Sequence, residues 1–194
     1  MATYTSQYPP AQSDVYIKAT TKLGTSYWPY YATDPAKLVT GVGLGNSWGS
    51  ASGTYTNQRF HIDLGSAKAI RRIYYENFHY SGGDITAGVK NFTFWGSNTA
   101  SDFADLTYAN DGNWVEIEDT ELSQSYFDEH SGADEADPKF ITVTNETEYR
   151  YYAFKFADNW GLASFMGVRR IELQTEDGWT LPSAVNSIFF GSNL

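Results

Sequence analysis

The chain has 194 residues, with 23 acidic side chains against 13 Lys and Arg and a formal charge of −10, which is enough for one domain with a substantial core. It has no cysteine, which excludes disulfides, thiolate metal sites and a cysteine nucleophile. No apolar run reaches the ~18–20 residues of a spanning helix and Lys and Arg are scarce, so neither membrane insertion nor a nucleic-acid partner is expected.

In chain order, residues 1–16 show no basic stretch leading into an apolar one, so no signal peptide is read. The expected location is therefore a virion or an extracellular surface reached by lysis, or else the cytoplasm. Asp34-Pro35 opens one or two helical turns over 34–39, with Asp34 as N-cap and Pro35 at the first helical position. Gly45-Asn46-Ser47-Trp48-Gly49 matches the nucleophile-elbow pattern but lacks a strand before it and a helix after it, so it is rejected. Period-2 alternation marks strands at 59–64, 92–94, 114–117, 140–143, 149–156 and 168–173, and Ser101–Leu106 is a short helical candidate. In the first of these strands Phe60, Ile62 and Leu64 take the core phase and His61 the solvent phase. The 15 Tyr, 12 Phe and 6 Trp among 17 Gly agree with an all-β chain, an antiparallel sandwich or barrel. Residues 91–138 hold 12 acids and no Lys or Arg, which reads as a solvated face. The stretch from Glu176 ends in Ile188-Phe189-Phe190, apolar residues that need cover from this domain or a neighbouring protein.

Five stretches occur in an order that resembles the discoidin (F5/8 type C) family of galactose-binding-like jelly rolls, which includes many bacterial carbohydrate-binding modules. They are Asn46-Ser47-Trp48 with Phe60–Gly65 and Ala69-Ile70-x-x-Ile73; Val89–Ser97; Trp114–Ile117; Tyr149–Phe154; and Arg169–Leu173. The resemblance covers residues 32–175, leaving 1–31 as an N-terminal arm with a first strand and 176–194 as a C-terminal docking tail. It implies a jelly-roll β-sandwich that is not an enzyme and takes a glycan as partner. It also implies a structural Ca2+ between an early acidic loop and a late glutamate, here Asp34 and Glu172 with backbone carbonyls and the Thr40 hydroxyl. The residues alone leave Asp34 as a helix cap and Glu172 as the ion-pair partner of Arg169 or Arg170.

A sugar site needs an aromatic platform for the apolar pyranose face and polar groups for its hydroxyls, all on exposed loops. Three loops supply both: Trp28 and Tyr30 on the first, Asn77, Phe78, His79 and Tyr80 on the second, and Asn159 and Trp160 on the third. Trp48 reads as a core plug. The function expected is a carbohydrate-binding module, displayed on a larger assembly through its tail. The alternative is a virion structural protein, a capsid decoration or tail component, that uses the fold as a scaffold.

Overall fold

The computed structural model describes residues 2–180. Ten strands form two antiparallel sheets: Tyr4–Gln7 (β1), Ile17–Ala19 (β2), Trp48–Gly49 (β3), Gln58–Lys68 (β4), Arg72–Asn77 (β5), Phe92–Ser97 (β6), Val115–Ile117 (β7), Lys139–Thr142 (β8), Tyr149–Phe156 (β9) and Gly167–Glu176 (β10). One sheet runs β1-β10-β5-β8 with β3 also on β10, and the other runs β2-β4-β9-β6-β7. The register explains the core. Phe60 pairs with Phe154 and Ile62 with Tyr152, while Phe94 meets Phe154 from the other side, so the aromatic phase of three strands shares the inner face. Trp48 is fully buried there, stacked on Phe156 at 5.7 Å and edge-on to Phe60 at 5.3 Å, the plug expected of it.

His61 does not face solvent as its phase suggests; it is fully buried. Alternation describes a sheet with one wet face, and here residues 98–114 fold over the outer face of the second sheet. That segment contains the short helix Ala100–Ala104 (α1), close to the helical stretch expected, and Phe103 and Trp114 from it cluster with Tyr151 and Ala153. Arg59, on the same phase as His61, is also fully buried. Its guanidinium pins the segment by donating to the carbonyls of Thr107, Tyr108 and Asn110 and to Asp111. His61 donates from Nδ1 to the Phe103 carbonyl at 3.1 Å, and burial pulls its pKa down to about 4.

At 34–37 there is a single turn rather than a helix, closed by Lys37 N–H to the Asp34 carbonyl, with the Asp34 carboxylate accepting from Ala36 N–H. In the acidic stretch Asp134 and Glu135 are exposed, whereas Asp128, Glu129 and Asp137 are half-buried. Asp137 pairs with Lys139 at 2.7 Å. β1 pairs with Leu173–Glu176, so the arm supplies an edge strand and β10 runs to Glu176. Residues 181–194, with the apolar end of the expected docking tail, lie outside the described residues.

Candidate functional site

The end of β5 and the start of β10 lie together, as the Asn77–Val168 pairing requires, and the Gly88–Gly167 and Val89–Asn159 bridges bring the loop after β9 to the same end. All three aromatic loops meet there. Tyr27 from the first, Phe78 from the second, and Leu162 and Phe165 from the third share one apolar cluster with Leu23 and Ala87. Phe78 and Phe165 meet edge-on at 5.2 Å.

The residues proposed from sequence have divided roles within this end. Asn77 is buried; its amide donates to the carbonyls of Val89 and Asp128, and its oxygen accepts from Phe78 N–H. Phe78 is fully buried. His79 is fully buried too, donating from Nε2 to the Val39 carbonyl at 2.7 Å and accepting at Nδ1 from Gly82 N–H at 3.0 Å. Its ring stacks on His130 at 4.1 Å, and burial holds both imidazoles below their ordinary pKa. Asn159 ties its loop together by donating to Leu162 and Phe165 carbonyls. Trp160 is half-buried, with its indole N–H on the Phe127 carbonyl and Lys90 4.6 Å from its ring. Tyr80 is exposed. Trp28 and Tyr30, both half-buried, stack at 5.6 Å.

An open cleft of about 260 Å3 lies beside Trp28, between the edge strand β2 and the covering segment, with Pro29, Leu106, Lys18, Lys22 and Asp14 among its walls. Lys22 stands 3.8 Å from the Trp28 ring centre and Lys18 4.8 Å from that of Phe103. Among the described residues, Asp14, Lys18 and Lys22 make no ion pair. Apart from Trp28, these residues carry no pattern that sequence reasoning could use: β2 has three residues, too few to show an alternation. A second cleft of about 230 Å3 lies between α1 and Asn110–Trp114. Its carboxylates already have partners: Asp102 takes Ser97 and Asn113, and Asp105 takes Thr107 and Asn110. Ser47, of the rejected nucleophile pattern, is buried and donates to the Gly43 carbonyl.

Of the residues proposed for calcium, Glu172 pairs with Arg170 and Asp34 closes its own turn. A β-bulge sets Arg169 and Arg170 together against one residue of β5. Two successive residues that alternation would send to opposite faces therefore reach one loop. Arg169, fully buried, donates to the carbonyls of His79, Leu38, Gly41 and Val42. Burial pulls its pKa down to about 10, so it stays protonated at neutral pH. Arg170 donates to the Lys37 carbonyl and to Glu172 at 3.1 Å, while the other Glu172 oxygen accepts from Ser6 at 2.6 Å. Thr40 is half-exposed. Among the described residues, no three His, Asp or Glu lie close enough together to hold a metal ion.

No protein-family model and no curated protein sequence matches the chain. Solved structures do match. A family 32 carbohydrate-binding module from NanJ of C. perfringens, in complex with galactose, aligns with a TM-score of 0.57 at 11% identity over 89% of this chain and 100% of that one. Chitosan-binding module 1 of a chitosanase/glucanase from Paenibacillus sp. IK-5 aligns with 0.56 at 14% identity, again over 89% and 100%. The family 32 module of AlyQ, in complex with 4,5-unsaturated mannuronic acid, gives 0.52 at 16% over 87% and 97%. The two antiparallel sheets and these alignments establish that the chain has the galactose-binding-like jelly-roll fold of discoidin-type carbohydrate-binding modules.

Proposed function

We propose that the chain is a non-catalytic carbohydrate-binding module and that its ligand lies in the Trp28 cleft. The observation that carries this reading is the combination of a part-exposed indole with three charged groups that have no ion-pair partner among the described residues. Lys22 donates to the Gly24 carbonyl from above the Trp28 ring, whereas Asp14 and Lys18 line the same cleft with no ion pair among the described residues and stand available to hydroxyls beside an apolar ring. The cleft volume of about 260 Å3 is below that of enclosed drug-sized sites and suits one or two sugar rings on an open surface. Solved modules of this fold carry galactose and an unsaturated mannuronic acid, which supports a sugar as the ligand class. One carboxylate lines the cleft, where glycoside hydrolysis ordinarily needs two.

A glycan array with neutral and acidic sugars identifies the binder. Titration of that sugar into 15N-labelled protein then reads the indole N–H signals, and the Trp28 signal is expected to move most. Trp28→Ala is expected to weaken binding about 30-fold while the protein stays folded. An array with no binder, or a Trp28→Ala protein that binds as well as the parent, overturns the reading.

A further inference from the structure

The loop of residues 37–42 turns its carbonyls inward, and each of five has a donor already. Arg170 takes Lys37, Arg169 takes Leu38, Gly41 and Val42, and His79 takes Val39. We infer that the guanidinium groups of Arg169 and Arg170 are the resident cations of this loop, and that its conformation is independent of calcium.

Three features carry the inference. The first is the donor count. Calcium needs six to eight oxygens around one point, whereas here the carbonyls are shared between two guanidinium groups, Asp34 closes its own turn, and both Glu172 oxygens are bonded. The second is charge. A divalent ion placed among these oxygens would stand beside two fixed positive groups, and that repulsion is largest where water is excluded. Among the described residues Arg169 makes no direct ion pair; the loop's carbonyls solvate its buried charge, with the Asp134 and Glu76 carboxylates further off. The third is geometry. The bulge at Val168/Arg170 delivers two neighbouring side chains to the same loop. The result is a loop whose carbonyls are engaged by protein donors, with Leu38 and Val42 left exposed on it.

The test reads the loop directly. Lys37 lies within it, and a protease that cuts after lysine reports its opening, because cleavage tracks the open population. Cutting at Lys37, followed by fragment mass, is expected to proceed at the same rate in EDTA and in millimolar calcium, with the same thermal midpoint and no calcium heat by calorimetry. Arg170→Met is expected to speed cutting at Lys37 about tenfold in both buffers, since charge-assisted bonds to the loop are lost. Should that variant fail to fold, Arg170→Lys keeps the charge but cannot bridge Lys37 and Glu172 in the same way, and cutting is expected to rise less. Faster cutting of the parent protein in EDTA, a midpoint raised by calcium, or unchanged cutting in both Arg170 variants overturns the inference.

Discussion

The loop at 26–31 and the loop at 77–84 are built from similar residues, and the fold brings them into one cluster, but they end in opposite states. In the second, Asn77, Phe78 and His79 are buried and every polar atom described on them is bonded within the protein. In the first, Trp28 and Tyr30 keep partial exposure, and the charges that neighbour Trp28 have no ion-pair partner among the described residues. Residue type therefore does not separate the two loops. What separates them is the part-exposed Trp28 ring with Asp14 and Lys18 unpaired beside it, which is why the ligand site is proposed there.

The strongest way to break this comparison is Asn77→Ala. Its amide satisfies two buried carbonyls and its oxygen one N–H, and each buried group left bare costs about 1–3 kcal/mol. A loss of about 4 kcal/mol is expected, which lowers the thermal midpoint on the order of 10 °C for a chain of this size. Sugar affinity at 20 °C is expected to stay within about threefold of the parent. A variant that loses binding but not stability would reverse the roles of the two loops.

The buried histidines give the next largest effect. His61, His79 and His130 are all held below their ordinary pKa, in each case chiefly by burial. Below about pH 6.5 the unfolded chain takes up protons that the native rings refuse. Stability is therefore full above that pH and is lost as pH falls toward the folded values. For His61, whose value falls to about 4, the loss amounts to about 3 kcal/mol across that window. Urea unfolding at pH 7.5 and 4.5 measures it, and His61→Gln is expected to reduce the difference by about that amount. Equal pH dependence in the variant would show that the ring is hydrated in the native state.

The sequence resolved the frame better than the site, for physical reasons. Strands such as β4 and β9 are long enough for alternation to show, and the aromatic phase of Phe60, Ile62, Phe154 and Phe156 has a single explanation, the inner face. Alternation failed at His61 because the covering segment 98–114 is distant in sequence and gives the outer face a second core. Arg169 and Arg170 were legible as a strand but not as loop anchors, because a bulge leaves no mark in residue order. The proposed site shows the same limit. Trp28 stands out as an aromatic on a loop, whereas Asp14, Lys18 and Leu106 join it only through the docking of β2 against residues 98–114.

Trp28→Ala tests the other loop. Truncation of a central aromatic in a binding site costs about 2 kcal/mol, or about 30-fold in affinity. Isothermal titration with the sugar found on the array measures it. Tyr80→Ala, which removes the exposed ring of the 77–84 loop, is expected to change affinity less than twofold. Comparable losses from both would merge the two loops into one site.

The smallest effect expected is that of Lys18→Met, and it sharpens the comparison most finely. Methionine keeps an apolar stem against Phe103, where the ammonium stands 4.8 Å from the ring, so stability is expected to change by no more than about 0.5 kcal/mol. The charge is what disappears, and an exposed charge at a cleft is worth about 0.5–1 kcal/mol, or two- to fivefold in affinity. Raising the salt distinguishes what it contacts. A hydrogen bond to a neutral hydroxyl survives in 1 M salt, whereas attraction to an acidic sugar is screened, since the Debye length shrinks from about 10 Å at 0.1 M to about 3 Å. If the parent's affinity falls with salt and that of Lys18→Met does not, the ligand carries a negative charge next to Lys18. If both are flat and the variant is still weaker, the contact is to a hydroxyl. If the variant binds as tightly as the parent, the unpaired charges are not part of the site, and the difference between the loops reduces to the exposure of Trp28 alone.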